Sequence, residues 1–129
     1  RVFDPEVQAS LPERIERIVN GVCATFGATG TLEYLKGYPA TINDPAQAAV
    51  AAEVAEALAG KERVDRKPKP MMGAEDFSYM LNQRPGAYIW AGNGDTAGVH
   101  HPDYDFSDDL LPHGASFWAR LVEDRLPRS

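Results

Sequence analysis

Just two stretches of this chain read as strands of more than an edge, and each stands between helices. Residues 29–38, from Thr29 to Tyr38, are β-branched and aromatic with partial alternation. Ala87-Tyr88-Ile89-Trp90-Ala91 is a short apolar run of buried-strand character. Two strands do not make a sheet that could carry a domain. The predicted order is helix, strand, helix, helix, strand, helix: an α/β pattern whose sheet is incomplete.

The helix signals are local and sharp. Asp4-Pro5 pairs a capping side chain with a proline at the first helical position, and Asn43-Asp44-Pro45 repeats the device. After the first, Val7, Leu11, Ile15, Ile18, Val19, Val22, Cys23 and Phe26 recur at steps of three and four, one apolar stripe. Pro12 interrupts that stripe, and Ser10 with Glu13 offers a second start. The expectation is a kinked helix, or a turn leading into a helix from about residue 11, ended by Gly27. The alanine-rich residues 45–59, with Val50, Val54 and Leu58 four apart, form a second helix. Lys61 to Pro70 reads as a loop with a short edge strand near Val64. A short helix after Gly73 carries Phe77, Met80 and Leu81. Pro112 opens a last helix whose face is Ala115, Trp118, Leu121, Val122 and Leu126. The boundary between two units falls between Tyr38 and Asn43.

Charge narrows the partners. A net charge of -6 disfavours nucleic acid and anionic membranes, which reward basic surfaces. No apolar run approaches the roughly 20 residues that span a bilayer. The single Cys23 excludes an internal disulfide and suits a reducing, cytoplasmic setting, and as part of the apolar stripe it reads as a core thiol. Without an initiator Met, the chain reads as a fragment or a processed product.

Chemistry concentrates in residues 92–110, a long polar loop with Gly92, Gly94, Gly98 and the neighbours His100 and His101. Imidazole binds zinc, manganese or cobalt through a neutral nitrogen. Adjacent side chains on a loop tend to point apart, so one histidine could ligate while the other faces substrate or solvent. The plainer reading is two exposed loop histidines, because one or two imidazoles make no metal site. Asp103, Asp105, Asp108 and Asp109 could orient an imidazole, and read more simply as a solvated loop. Glu75 and Asp76 gain from a helix dipole, or stand at the mouth of a site. Trp90 and Trp118 read as core. Gly92-Asn93-Gly94 resembles a phosphate loop only weakly, for no Gly-Lys-Ser/Thr follows it.

Several ordered blocks carry a resemblance. They are Met72-Gly73-Ala74-Glu75-Asp76-Phe77-Ser78, Tyr88-Ile89-Trp90-Ala91-Gly92 and Val99-His100-His101-Pro102-Asp103-Tyr104-Asp105-Phe106, preceded by Gly37-Tyr38-Pro39-Ala40-Thr41-Ile42-Asn43-Asp44. Together they resemble a family of metal-dependent aminoacylases and carboxypeptidases that includes hippurate hydrolase, the N-acyl-amino-acid amidohydrolases and the plant auxin-conjugate hydrolases. The resemblance implies an α/β fold, as a fragment of a two-domain metallo-amidohydrolase. Residues 1–43 would be the C-terminal part of an α+β lid or dimerisation domain, and residues 44–129 the C-terminal part of the catalytic domain. It implies two divalent metal ions in the complete enzyme (zinc, manganese or cobalt), a small N-acyl amino acid such as hippurate as substrate, and a homodimer formed through the lid. The register of the resembled Leu-His-x-Pro pattern favours His100 over His101 as the metal ligand, with Glu75 and His101 toward the substrate or the second rank of the site. Val99 and His101 depart from the family's usual Leu and Ser, Asn or Thr. The general base and remaining ligands find no counterpart in these residues, so the isolated chain is expected to be inactive and need not bind metal. The competing expectation is a non-catalytic dimerisation or ligand-capping module without metal.

Overall fold

The computed structural model describes residues 1–126. They form four helices, α1 (Pro5–Thr25), α2 (Pro45–Ala59), α3 (Phe77–Leu81) and α4 (Leu110–Arg125), with a single 3₁₀ turn at Lys61–Arg63. Two compact units arise. One joins Arg1–Ile42 to Lys69–Arg84, and the other joins Asn43–Pro68 to the residues from Pro85 on.

In the first unit, Asp4 caps α1 as its sequence requires. Its carboxylate accepts from the Glu6 and Val7 amides at 2.7 and 3.3 Å. The helix then runs unbroken through Pro12. The expected second start does not form, because the Ser10 hydroxyl donates to the Val7 carbonyl at 2.9 Å instead of capping. Gly27, at φ +67°, ends the helix, and the Ala28 amide returns to the Cys23 carbonyl at 2.9 Å. Only one side of the apolar stripe is covered. Leu11, Ile15, Val19 and Cys23 are half-buried, while Ile18, Val22 and Phe26 are exposed. Cys23 is thus a half-buried free thiol rather than a core one. Gly30 lies against this covered side so closely that a β-carbon there would stand 2.7 Å from both Val19 Cγ1 and Cys23 Sγ. Gln8 Nε2 donates to the Tyr38 carbonyl at 3.2 Å, and the rings of Tyr38 and Tyr79 meet edge-on at 5.8 Å. Arg1 donates to the Met72 carbonyl. Ser78, on α3, is fully buried, its hydroxyl donating to the Glu75 carbonyl at 2.6 Å.

In the second unit, Asp44 accepts from the Gln47 amide at 3.0 Å and starts α2. α2 packs on α4 and supplies Ala51 and Val54, the only buried apolar side chains among the described residues. α4 begins two residues before Pro112, a position where a missing amide costs nothing. Its half-buried side is Leu110, Phe117 and Leu121. Of the face expected toward a core only Leu121 is on that side; Ala115 is exposed, and Trp118, Val122 and Leu126 are turned outward at 64%, 53% and 73% exposure. Trp90 is exposed as well, so neither tryptophan is core here. Val64 is extended but pairs with nothing as a strand. Beyond it Arg66 folds back on α2, its guanidinium gripping the Glu56 carboxylate through two hydrogen bonds of 2.6 and 2.7 Å. That hydrogen bond holds the Glu56 carboxyl below its ordinary range, and raises Arg66 in turn.

The strand expectations fail among the described residues. Neither 29–38 nor 87–91 belongs to a ladder. No backbone-to-backbone hydrogen bond engages residues 29–42. A strand exists only through a neighbour's amides and carbonyls, and no described segment offers them. A single side chain does so at one point. Asn43 Oδ1 accepts from the Tyr88 amide at 2.8 Å, and Asn43 Nδ2 donates to the Tyr88 carbonyl at 2.9 Å. The Asp44 amide adds a bond to the Gly86 carbonyl at 2.9 Å. The α/β architecture is therefore not what these residues form. Their helices instead stand without a sheet.

Candidate functional site

Asn93 shapes the histidine loop. It is half-buried where the chain leaves Trp90, and its side chain reaches across the loop. Nδ2 donates to the Asp105 carbonyl at 2.6 Å and to Thr96 Oγ1 at 3.0 Å. Oδ1 accepts from the Ser107 amide at 2.8 Å. Gly94 turns the chain at φ +84°, a conformation that suits glycine. Reading the sequence alone gives Asn93 only a place in the weak phosphate-loop likeness of Gly92-Asn93-Gly94. The signal was the amide itself, which can meet a backbone donor and a backbone acceptor at once.

Two consecutive turns then carry the histidines. The His101 amide donates to the Gly98 carbonyl at 3.0 Å, closing a turn with Val99 and His100 at its corners. His100 has φ +74° and is the one described non-glycine residue with positive φ. A positive φ at this second corner is the demand of a type II turn, normally met by Gly or Asn. The Tyr104 amide donates to the His101 carbonyl at 3.0 Å in the next turn, where Pro102 sits at the corner that its ring favours.

These turns separate the two imidazoles. His101 Nδ1 accepts from the Asp103 amide at 3.1 Å and lies 3.7 Å from the Asp103 carboxylate. With Nδ1 accepting, the proton of the neutral ring sits on Nε2, so neither nitrogen of His101 offers a free lone pair. His100 is exposed and makes no hydrogen bond or ion pair among the described residues. Both of its nitrogens remain open. Asp103, Asp105, Asp108 and Asp109 are exposed, and none of their carboxylates bonds the His100 ring. His113 is exposed in the first turn of α4.

Glu75 lies in the first unit, ahead of α3. It is half-buried, and Oε1 accepts from the Phe77 amide at 3.4 Å. Its carbonyl receives the Ser78 amide at 3.2 Å as well as the Ser78 hydroxyl. Its carboxylate thus faces the opening turn of α3, as the dipole argument anticipates.

The residues that could hold a metal ion do not make a centre by themselves. Among the described residues no group of three or more His, Cys, Asp or Glu side chains converges on a point. A zinc site takes three protein ligands at least, so one open imidazole fits as a single arm and no more. No helix among the described residues is long and apolar enough to cross a membrane.

Comparison with known proteins gives the family. A model of the peptidase family M20/M25/M40 matches residues 6–124, and the chain belongs to that family. Curated relatives include the N-acetylcysteine deacetylase of Bacillus subtilis, 29% identical over 122 residues that cover 95% of this chain and 31% of the relative. Thermostable carboxypeptidase 1 of Saccharolobus solfataricus is 31% identical over 128 residues, covering 95% and 32%. The hippurate hydrolase of Campylobacter jejuni is 28% identical over 122 residues, again 95% and 32%. The chain spans about a third of the length of these relatives. No solved structure matches it. The resemblance carried by the ordered motifs is therefore borne out at the level of the family.

Proposed function

We propose that this chain forms part of a metal-dependent amidohydrolase that cleaves the amide bond of N-acyl amino acids, and that His100 is its contribution to the metal centre. One observation carries the assignment. On a loop with two adjacent imidazoles, His101 is committed through Nδ1 to the Asp103 amide, while His100 stands uncommitted at a strained corner. Names of relatives that act on N-acetylcysteine and hippurate support the substrate class.

The described residues do not complete a centre, so in this reading the remaining ligands and the general base belong to other polypeptide. Bound divalent ions would supply an activated water. His101 keeps an Nε2–H donor, suited to an anionic group such as the carboxylate of the amino acid. Residues 1–43 belong to the lid through which two copies pair, and residues 44–129 to the catalytic domain. The enzyme works in the cytoplasm, consistent with the unpaired Cys23.

The test uses the polypeptide that carries this chain, assayed for hydrolysis of N-benzoylglycine and N-acetyl amino acids, with metal content measured on the same samples. His100→Ala should abolish turnover and lower bound metal. Unchanged activity and metal in that variant would reject the ligand role. The second reading, a dimerising or ligand-capping module, draws on the missing convergence of ligands. It predicts neither turnover nor stoichiometric metal.

A further inference from the structure

We propose that Asn93 is the positioning residue for His100, holding closed the loop on which that imidazole stands. This rests on the reading of His100 as a ligand arm. The hydrogen bonds argue it. Within residues 94–106 every other bond is short in sequence: His101 to Gly98, Tyr104 to His101, Asp103 to His101, and Thr96 to Ala97. Each shapes a turn, and none ties one end of the loop to the other. Asn93 alone does that, reaching Asp105 and Ser107 across twelve and fourteen residues. A loop left open at its base samples many shapes, because closing it is an entropic cost that these two contacts oppose.

The backbone of His100 makes the closure matter. A non-glycine residue at φ +74° persists only where its surroundings fix it. Asn93 is also half-buried, while His100 and its neighbours Val99, His101 and Pro102 are exposed, so the closure is the sheltered part of the assembly. The carboxamide suits the task. Its NH₂ meets the Asp105 carbonyl and its oxygen meets the Ser107 amide, a pairing that a carboxylate of the same shape cannot reproduce.

The experiment compares Asn93→Ala, Asn93→Asp and His100→Ala in the polypeptide that carries this chain. It measures kcat and KM on N-benzoylglycine, and hydrogen exchange segment by segment. Asn93→Ala should lower kcat about tenfold or more with KM little changed, since misplacing a reacting group by about 1 Å costs up to 100-fold. Exchange should rise in residues 94–107 and stay as it was in α2 and α4. Asn93→Asp keeps size and the acceptor, and should fall between the parent and the alanine variant. If Asn93→Ala fails to fold, the aspartate variant carries the test, and activity equal to the parent overturns the proposal. Exchange rising equally through α2 and α4 also overturns it, because that marks a general structural role. Full activity in Asn93→Ala beside an inactive His100→Ala removes the positioning role alone. Full activity in His100→Ala removes both readings.

Discussion

Replacing His100 by glycine should make the protein more stable and less active, and the comparison that isolates the reason is with alanine. An L-residue in the left-handed region costs roughly 1–2 kcal/mol relative to the right-handed one. His100 occupies that region at φ +74°. Alanine keeps the β-carbon and therefore the cost. Glycine removes it, but its freer unfolded chain returns about 0.4–1 kcal/mol of the gain. The difference leaves His100→Gly more stable than His100→Ala by about 0.5–1 kcal/mol. Both variants lose the imidazole, so both should lose hydrolysis. Urea unfolding followed by tryptophan fluorescence is a suitable assay, because Trp90 and Trp118 flank the loop in sequence within the second unit. The glycine variant should unfold at a urea concentration higher by a few tenths molar, given slopes of about 1–3 kcal/mol/M. A glycine variant no more stable than the alanine variant would refute the strain argument. Undiminished hydrolysis in both would refute the claim that function keeps histidine at this corner.

Other perturbations test the scaffold. Asn43→Ala removes both hydrogen bonds to the Tyr88 backbone and should cost about 1–3 kcal/mol in urea unfolding, at about 0.5–1.5 kcal/mol per bond. Gly30→Ala drives a β-carbon to 2.7 Å from Val19 and Cys23 and should cost about 1–3 kcal/mol by overpacking, with part recovered when Cys23→Ala is added. Glu56→Gln breaks the contact with Arg66. Because the folded carboxyl is held below its ordinary value of 4.5, its stabilisation is present above pH 4.5 and is lost as the pH falls through the folded value. The gap in thermal midpoint between the parent and Glu56→Gln should be open at pH 7 and close in acid.

The elements that a local signal dictates were legible. Asp4-Pro5 and Asp44-Pro45 start helices because cap and proline act within one turn, whatever lies elsewhere. What depends on distant neighbours was not. Along α4 periodicity groups Leu121 with Trp118, Val122 and Leu126, and cannot say that Leu121 is half-buried beside Leu110 and Phe117 while those three face outward. The site divides in the same way. Ordered motifs were enough to pick out the His100 loop, but the difference between His100 and His101 turns on the Asp103 amide, a contact made only once Pro102 has bent the chain. Asn93 was invisible because its partners lie twelve and fourteen residues away.

The missing strands and the exposed apolar faces have one physical origin. A hydrophobic content of 43% is ordinary for a globular protein, so the chain does not lack material for a core. Yet only Ala51 and Val54 are buried apolar residues among those described. The accessible surface is 10741 Å², for a mass of 14.1 kDa. A folded monomer of that mass exposes about 6,700 Å², and even two separate domains of half the mass expose about 8,100 Å² together. The excess survives either reckoning, so it does not depend on how the two units are arranged. Ile18, Val22 and Phe26 on α1, and Trp118, Val122 and Leu126 on α4, are patterned to be covered and are not. Residues 29–38 carry strand composition with no ladder to join. Periodicity and composition describe the surroundings a segment suits, and the described residues do not supply those surroundings for α1, α4 or residues 29–38.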